Sequence, residues 1–164
     1  MRTGFLLMGG NMGNRLAYLQ QATKMIGETC GKIVQSSSIY KTAAWGIEEQ
    51  ASFYNQVIVL ETSLTPENLM HQLLEIENEM GRKRDQKMGP RIIDLDILMI
   101  DELVISSGLL TLPHPALPFR RFALIPLCEI DPSIIHPVLQ KKMGQLLEEC
   151  TDVLDVQKKS IDGN

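Results

Sequence analysis

Two aspartates lie inside a run of apolar residues, and their spacing would suit a divalent metal. Asp94 and Asp96 belong to residues 92–100, where β-branched and long apolar side chains predict a strand after a Gly-Pro turn signal. Residues two apart in a strand point to the same face, so we expect the two carboxylates side by side. Such a pair is costly on a mostly buried strand unless a cation lies between them. A divalent metal is the simplest candidate, and among such metals Mg²⁺ takes oxygen ligands.

A basic segment comes directly before the paired aspartates. Residues 82–91 contain five arginines and lysines and one aspartate, although the whole chain has a formal net charge of -4. A solvated loop would account for an isolated basic run, but this run leads into the acidic pair. Arginine suits polyphosphate because its planar guanidinium donates two parallel hydrogen bonds and keeps its charge. Paired carboxylates and arginines together favour metal-assisted phosphoryl transfer, which depends mainly on positioning and charge neutralisation.

The composition restricts the class of protein. With 164 residues, 44% of them hydrophobic, the chain can form one core, and we expect a single domain over residues 1–164. The acidic balance argues against nucleic-acid and membrane partners. The apolar run at the N-terminus is too short for a signal peptide or a membrane span. The three cysteines have neither paired nor metal-ligand spacing, so we expect a cytoplasmic protein, with a monomer as the default expectation.

The elements that must position the aspartates follow a β-α-β-β-α-β order. The predicted strands cover residues 4–8, 32–40, 53–60 and 94–100. Helices with apolar residues at helical spacing follow Asn14 and Thr65, which can cap them. This order predicts a ferredoxin-like α+β fold, with an antiparallel sheet and both helices on one face. A glycine-rich turn at residues 9–14 lacks the Gly-Lys-Ser/Thr of a phosphate-binding loop.

The rest of the chain is expected to extend this core. Residues 103–105 predict a short strand, residues 111–115 an extended proline-rich segment, and residues 120–129 a helix. Residues 138–164 predict a C-terminal helix and a polar tail without a catalytic signal. The long connection after the second strand contains Trp45. Such loops are often functional, although a lone tryptophan can also cover the edge of a core.

The segment around the aspartates resembles the signature of a known enzyme family. Residues 87–98 read KMGPRIIDLDIL and are similar to the signature of the 6-hydroxymethyl-7,8-dihydropterin pyrophosphokinases of folate biosynthesis. The resemblance covers residues 5–132 through shorter matches in the same order. These matches are Gly9-Gly10-Asn11, Ser38 to Thr42, Trp45-Gly46, Tyr54-Asn55, Glu77, Gly81-Arg82, Leu112-Pro113-His114, Arg120 and Phe122. The family implies that ATP gives its β,γ-pyrophosphoryl group to the hydroxymethyl oxygen of the pterin and leaves AMP.

The resemblance also implies roles for individual residues. Two Mg²⁺ ions are expected at Asp94 and Asp96, and Arg82 and Arg91 complete the expected catalytic set. The positions on the ATP side are Glu77, Arg84, Arg91, Ile97, Thr111, His114 and Arg120. The positions on the pterin side are Thr42, Ala43, Trp45, Phe53, Asn55 and Phe122. The two phenylalanines would stack on the flat ring, although spacing alone would make both of them core residues. For His114 the alternative is a histidine satisfied within a proline-rich turn.

The sequence departs from the family pattern at some positions. Gly10 stands where Ser is common, Ala43 where Pro is common, and Met88 where Trp is frequent. The absence of that Trp removes one aromatic surface from a substrate site, which Trp45 would have to supply instead. None of these departures affects the aspartate pair.

Two other classes of function remain open on the sequence alone. A metal-dependent phosphodiesterase or nuclease could use the same aspartates, but one short basic loop in an acidic chain is poorly suited to a nucleic-acid backbone. A non-catalytic ferredoxin-like domain that binds a nucleotide would leave the cost of two adjacent aspartates unexplained.

Overall fold

The computed structural model describes residues 1–43, 51–82 and 91–159, and its main elements follow the predicted order. The strands are β1 Arg2–Gly10, β2 Lys32–Ser36, β3 Tyr40–Thr42, β4 Phe53–Thr62, β5 Asp94–Ile100, β6 Ile105–Ser106, β7 Thr111–Leu112 and β8 Val156–Lys158. The helices are α1 Arg15–Thr29, α2 Pro66–Glu79, α3 Arg121–Ile130 and α4 Met143–Glu149, with a 3-10 turn at Leu117–Phe119. None of the helices in the described ranges is long and apolar enough to cross a membrane.

The main sheet is antiparallel and has the strand order of a ferredoxin-like fold. β1 lies between β5 and β4, and β4 pairs on its other side with β2 and then with β3. The long central pair runs from Arg2 opposite Thr62 to Gly10 opposite Tyr54. This arrangement confirms the predicted α+β fold. β8 extends the sheet at the far edge of β3.

Helices cover both faces of the sheet. On one face, the apolar stripe of α1 packs onto β1 and β4 at residues such as Leu6 and Ile58, and that of α2 packs onto β5. On the other face, α3 and α4 pack against Leu7, Val57 and Met99. The two core helices share one face as predicted, and the C-terminal part of the chain supplies the second layer.

The first two helices begin at their predicted caps. The Asn14 side chain accepts a hydrogen bond from the Ala17 N–H at 3.1 Å, and the Thr65 hydroxyl accepts one from the Asn68 N–H at 3.1 Å. α2 is followed by Gly81, whose φ of 85° favours glycine. This turn places the residue after it, Arg82, next to the start of β5.

β1 is longer than predicted, because Gly9 and Gly10 belong to the strand and not to a turn. They pair with Asn55 and Tyr54 of β4, and Gly9 also pairs with Asp94 of β5. A Cβ atom at Gly9 would collide with the Asn55 side chain, and one at Gly10 with a backbone carbonyl near the start of β5. The glycines therefore let the neighbouring strands approach closely. The turn propensity of glycine led to the wrong prediction of a turn at these two residues.

The predicted strand at residues 32–40 is interrupted, and the end of the chain contains a strand that was not predicted. Between β2 and β3, the buried Ser37 side chain accepts a hydrogen bond from the Val57 N–H at 2.9 Å, which competes with the regular ladder. The predicted strand at residues 103–105 lies at Ile105–Ser106, because the Leu103 N–H closes a turn onto the Ile100 carbonyl. β8 was missed because three residues with polar neighbours show no clear alternation.

Candidate active site

A cleft of about 240 Å³ lies where β1, β4 and β5 come together. In the sheet register, Gly9 pairs with Asn55 on one side and with Asp94 on the other, while Leu7 pairs with Asp96. This register brings residues that are far apart in sequence onto one surface. The cleft is lined by Leu7, Gly9, Thr42, Ala43, Phe53, Asn55, Arg82, Arg91, Asp94, Asp96, His114, Arg120 and Phe122.

Asp94 and Asp96 both project from β5 into the cleft, while Leu95 between them is buried on the opposite face. Burial, and then the charge of Asp94, raises the pKa of Asp96 to about 7. At neutral pH, Asp96 is therefore divided between its acid and carboxylate forms when protein groups alone surround it. A cation between the two side chains would favour the ionised form of both.

Arg82 bridges two carboxylates at the edge of the cleft. Its Nη1 donates to Asp94 Oδ1 at 2.7 Å and to Glu77 Oε2 at 2.9 Å. Burial alone would lower the pKa of Arg82, but the charges of Asp94 and Glu77 raise it above its ordinary value. Arg82 Nε is buried and has no hydrogen-bond partner within the described ranges. The guanidinium therefore stays charged beside the two carboxylates.

Glu77 joins the end of α2 to β5. Its side chain is only 3% exposed, and Oε2 accepts a second hydrogen bond from the Leu95 N–H at 2.7 Å. A buried carboxylate with these two donors fixes the strand between the two aspartates. Glu77 itself lies beneath Arg82 and does not line the cleft.

Asn11 holds the backbone of Arg91 at the entrance to β5. The Asn11 N–H donates to the Arg91 carbonyl at 3.0 Å, and the Arg91 N–H donates to Asn11 Oδ1 at 2.9 Å. Asn11 Nδ2 donates to the Ala51 carbonyl at 2.9 Å. One buried asparagine thus connects the segments that lead into β4 and β5. The Gly9-Gly10-Asn11 match in the sequence includes this residue, but the hydrogen bonds of Asn11 were not predicted.

Arg91 lies between the acidic and the aromatic parts of the cleft. Its Nη1 is 3.7 Å from Asp94 Oδ2, and its guanidinium carbon is 5.0 Å from the centre of the Phe53 ring. The second distance falls within the range of a cation–π interaction. Arg91 is therefore placed to meet an anionic group next to an aromatic surface.

The polar wall beside Phe53 consists of Asn55, Thr42 and Ala43. Asn55 and Thr42 are almost fully buried, and Asn55 Nδ2 donates to Thr42 Oγ1 at 2.7 Å. This hydrogen bond fixes the orientation of the Asn55 amide. The wall can therefore present fixed polar groups to the edge of a flat ligand.

The opposite wall contains His114, Arg120 and Phe122. His114 Nδ1 accepts a hydrogen bond from the Ala116 N–H at 3.1 Å, so the neutral ring carries its proton on Nε2. Burial, and then the charge of Arg120, lowers the pKa of His114. The guanidinium carbon of Arg120 lies 5.5 Å from the centre of the Phe122 ring. This wall therefore offers a neutral donor, a cation and an aromatic face.

The remaining predicted residues lie away from the cleft surface or outside the described ranges. Ile97 is buried in the core beneath α1 and α2, and Thr111 is exposed on β7. Trp45 and Arg84 fall in residues 44–50 and 83–90, outside the described ranges. Sequence reasoning missed Leu7 and Gly9, whose place on the cleft depends on the register between strands. The roles assigned to Ile97, Thr111, Trp45 and Arg84 stay predictions.

The carboxylates of the cleft suit a metal that brings further ligands with it. Within the described ranges, no three His, Cys, Asp or Glu side chains converge as a metal cluster. Mg²⁺ commonly uses one or two carboxylates and completes its octahedron with phosphate oxygens and water. Asp94 and Asp96, two adjacent carboxylates of which one resists ionisation, therefore fit Mg²⁺ that arrives with a polyphosphate.

Comparison with known proteins gives matches over most of the chain. A model of the 7,8-dihydro-6-hydroxymethylpterin-pyrophosphokinase (HPPK) family matches residues 5–132. The 2-amino-4-hydroxy-6-hydroxymethyldihydropteridine pyrophosphokinase of Aquifex aeolicus is 40% identical over 151 residues, covering 92% of this chain and 94% of that protein. The Bacillus subtilis protein of the same name is 40% identical over 127 residues, covering 77% of this chain and 76% of that protein.

A solved structure agrees with these matches at the level of the fold. A crystal structure of Plasmodium falciparum HPPK-DHPS has a TM-score of 0.72 to this chain at 16% identity. The match covers 91% of this chain and 43% of that chain, so this chain spans less than half of that protein. The family model and the two similar sequences lead to one conclusion. The chain belongs to the 7,8-dihydro-6-hydroxymethylpterin-pyrophosphokinase family.

Proposed function

We propose that this cleft transfers pyrophosphate from ATP to the hydroxymethyl group of 6-hydroxymethyl-7,8-dihydropterin, with magnesium held by Asp94 and Asp96. As a family member the chain is a pyrophosphokinase of folate synthesis that uses ATP as co-substrate. One observation carries the assignment of the cleft: the paired carboxylates, the arginines and the two phenylalanines line the same surface. A simple nucleotide-binding domain would leave the two adjacent aspartates unexplained, and the three arginines on this surface are too few to follow a nucleic-acid backbone as a nuclease would.

The aspartates would hold the magnesium, for which we propose two ions. Bound there, the metal would neutralise charge on the triphosphate and ease loss of the proton from the attacking hydroxyl. Metal held there would displace the proton that Asp96 retains in part at neutral pH, since its pKa is about 7. A metal held by Asp94 Oδ1 would take the place of its 2.7 Å ion pair with Arg82, and Arg82 would then be available to phosphate.

The cations of the cleft would bind the triphosphate. In the reaction, the hydroxymethyl oxygen forms a bond to the β-phosphorus, and the bond from that phosphorus to the α,β-bridging oxygen breaks, so AMP leaves with the electron pair. Phosphoryl transfer of this kind depends on alignment and on stabilisation of spread negative charge. Arg82, Arg91 and Arg120 would supply the positive charge, while His114 would donate from Nε2 without adding charge. The other ATP-side residues in the proposal are Glu77, Arg84, Ile97 and Thr111.

The pterin would lie between the two aromatic walls. Phe53 and Phe122 would pack on its faces, while Asn55, Thr42 and Ala43 would meet its polar edge. Stacking and fixed hydrogen bonds together suit a flat ring with many donors and acceptors. Trp45 stays a proposed contact on this side.

The proposal is tested by following the nucleotide products. Purified protein is mixed with ATP, Mg²⁺ and 6-hydroxymethyl-7,8-dihydropterin, and the nucleotides are separated by ion-exchange chromatography. We expect AMP only when the pterin and Mg²⁺ are both present. Asp96→Asn should abolish AMP formation, whereas Asp101→Asn, at the exposed far end of β5, should not. Formation of ADP, or equal AMP without the pterin, would overturn the proposal.

A further inference from the structure

We infer that residues 152–159, called the C-terminal strap below, are a positioning element that holds together the two pterin-binding walls of the cleft. The inference rests on the proposed function of those walls. The strap lies beyond the residues that the family model matches, which end at 132. It contacts one wall through α3 and the other through β3.

The first contact is with the beginning of α3. Asp152 Oδ2 accepts a hydrogen bond from the Arg121 N–H at 3.0 Å, and Asp152 Oδ1 accepts one from the Leu154 N–H at 3.0 Å. Arg121 Nη1 also donates to the Leu154 carbonyl at 3.2 Å. α3 has no acidic residue in its own first turn, so Asp152 supplies the negative charge and the acceptor that favour this helix end. Arg121 lies between the cleft residues Arg120 and Phe122 in sequence.

The second contact is with β3, which leads into the polar wall. β8, within the strap, pairs with β3 so that Val156 lies opposite Thr42. The Ala43 N–H donates to the Asp155 carbonyl at 3.3 Å, and the Lys159 N–H donates to the Ile39 carbonyl at 2.8 Å. β3 contains three residues, so β8 provides one of the two strand partners of a very short element. Thr42 and Ala43 are therefore held from the strap side as well as from β4.

α3 and β3 are also joined at the end remote from the cleft. Glu129, near the end of α3, accepts hydrogen bonds from the Ser38 N–H at 2.9 Å and from the Tyr40 hydroxyl at 2.8 Å. The strap makes the corresponding connection at the cleft end, and at the remote end it adds only an exposed ion pair from Lys158 Nζ to Glu129 Oε2 at 3.6 Å. Loss of the strap should therefore release mainly the cleft end, while the Glu129 contacts keep α3 against the sheet.

This arrangement predicts that a change in the strap weakens binding of the pterin more than binding of ATP. The strap connects the turn that carries Phe122 to the strand end that carries Thr42 and Ala43. Of the three arginines proposed for the phosphates, Arg82 and Arg91 are held by other contacts, at the ends of α2 and β5, and only Arg120 adjoins the strap-bound Arg121. A change in the strap should therefore alter the spacing of the walls around the ring and leave most of the phosphate site in place.

The test compares steady-state kinetics of two strap variants with a matched control. Asp152→Asn removes the charge of the acceptor, and a chain that ends at Thr151 removes the strap. The control is Asp131→Asn, because Asp131 accepts from the Ser133 N–H two residues on at 2.9 Å, at the other end of α3. Each protein is assayed with the pterin and ATP varied separately, and pterin binding is measured by equilibrium titration.

We expect Asp152→Asn to raise the KM and the Kd for the pterin roughly fivefold, the effect of one lost hydrogen bond, with the shortened chain affected more. The KM for ATP and the values for the control should stay within about twofold of wild type. Unchanged pterin constants in both strap variants would overturn the inference, as would an equal rise in the pterin and ATP constants. Wild-type protein that forms no AMP would instead contradict the proposed function, and the inference would fall with it.

Discussion

Replacing Asp96 with asparagine should stabilise the metal-free protein, and the gain should grow as the pH rises. Burial and the charge of Asp94 raise the pKa of Asp96 from 3.8 to about 7. Between these values the folded protein keeps a proton that the unfolded chain has lost. The free energy of unfolding of the wild type therefore falls as the pH rises. Wild-type stability linked to Asp96 is therefore complete below pH 3.8 and is lost as the pH rises through 7. Asparagine does not titrate, so its contribution to the unfolding free energy stays the same at every pH.

The size of the effect follows from the same pKa. A shift of about three pKa units, at about 1.4 kcal/mol each, means that ionisation of Asp96 lowers the wild-type unfolding free energy by at most about 4 kcal/mol at pH 8. Asp96 is largely buried but faces the open cleft, where water reduces this figure. Between pH 5 and pH 8 only the two pH units below the folded-state pKa of about 7 contribute, which sets a limit of about 2.7 kcal/mol for this interval. We expect the difference in unfolding free energy between Asp96→Asn and wild type to increase by about 1–2 kcal/mol from pH 5 to pH 8.

The assay is urea unfolding in EDTA at pH 5 and pH 8. The control is Glu75→Gln, which removes one negative charge from the exposed face of α2. Its difference from wild type should change little between the two pH values. A constant or shrinking difference for Asp96→Asn would refute the assignment of Asp96 as a carboxylate that resists ionisation.

Three further predictions concern the residues around the cleft and one buried histidine. Arg82→Ala should remove the ion pairs of this guanidinium with Glu77 and Asp94 and lower the unfolding free energy by about 2–3 kcal/mol in urea titrations; an unchanged value would contradict these ion pairs. Asn11→Ala should cost about 2–3 kcal/mol in the same assay, because it loses side-chain hydrogen bonds to two backbone groups, whereas a loss below about 0.5 kcal/mol would show that those bonds are dispensable. Burial lowers the pKa of His136, so its contribution to stability is complete above pH 6.5 and is lost as the pH falls through the folded-state pKa. Thermal unfolding between pH 5 and pH 7 should show this loss, and His136→Asn should reduce it; an identical pH profile for the variant would contradict the assignment.

Much of the fold follows from local sequence patterns. The apolar spacing after Asn14 and Thr65 predicts both core helices, since a helix that packs on a sheet needs one apolar face. The alternation around Asp94 and Asp96 predicts that both carboxylates share a face, and they line one cleft. These features depend on residues close together in sequence, so they can be predicted without knowledge of the tertiary structure.

The features that sequence reasoning missed depend on contacts between distant segments. Gly9 and Gly10 look like turn residues until the close approach of the neighbouring strands is known. Asn11 has no local pattern that reveals its hydrogen bonds to Arg91 and Ala51. β8 is too short and too exposed to carry an alternating pattern, and it forms only because β3 offers a free edge to the returning chain.

The central claim is that Asp94 and Asp96 hold the magnesium on which pyrophosphoryl transfer depends. Its most direct test is AMP formation as a function of Mg²⁺ concentration, in wild type, Asp94→Asn, Asp96→Asn and Asp101→Asn. We predict that wild type and Asp101→Asn will require Mg²⁺ and reach similar rates, while the other two variants lose about a hundredfold to a thousandfold in kcat, as for loss of a principal electrostatic group. Near-normal AMP formation by Asp96→Asn, or by wild type in EDTA, would contradict the claim.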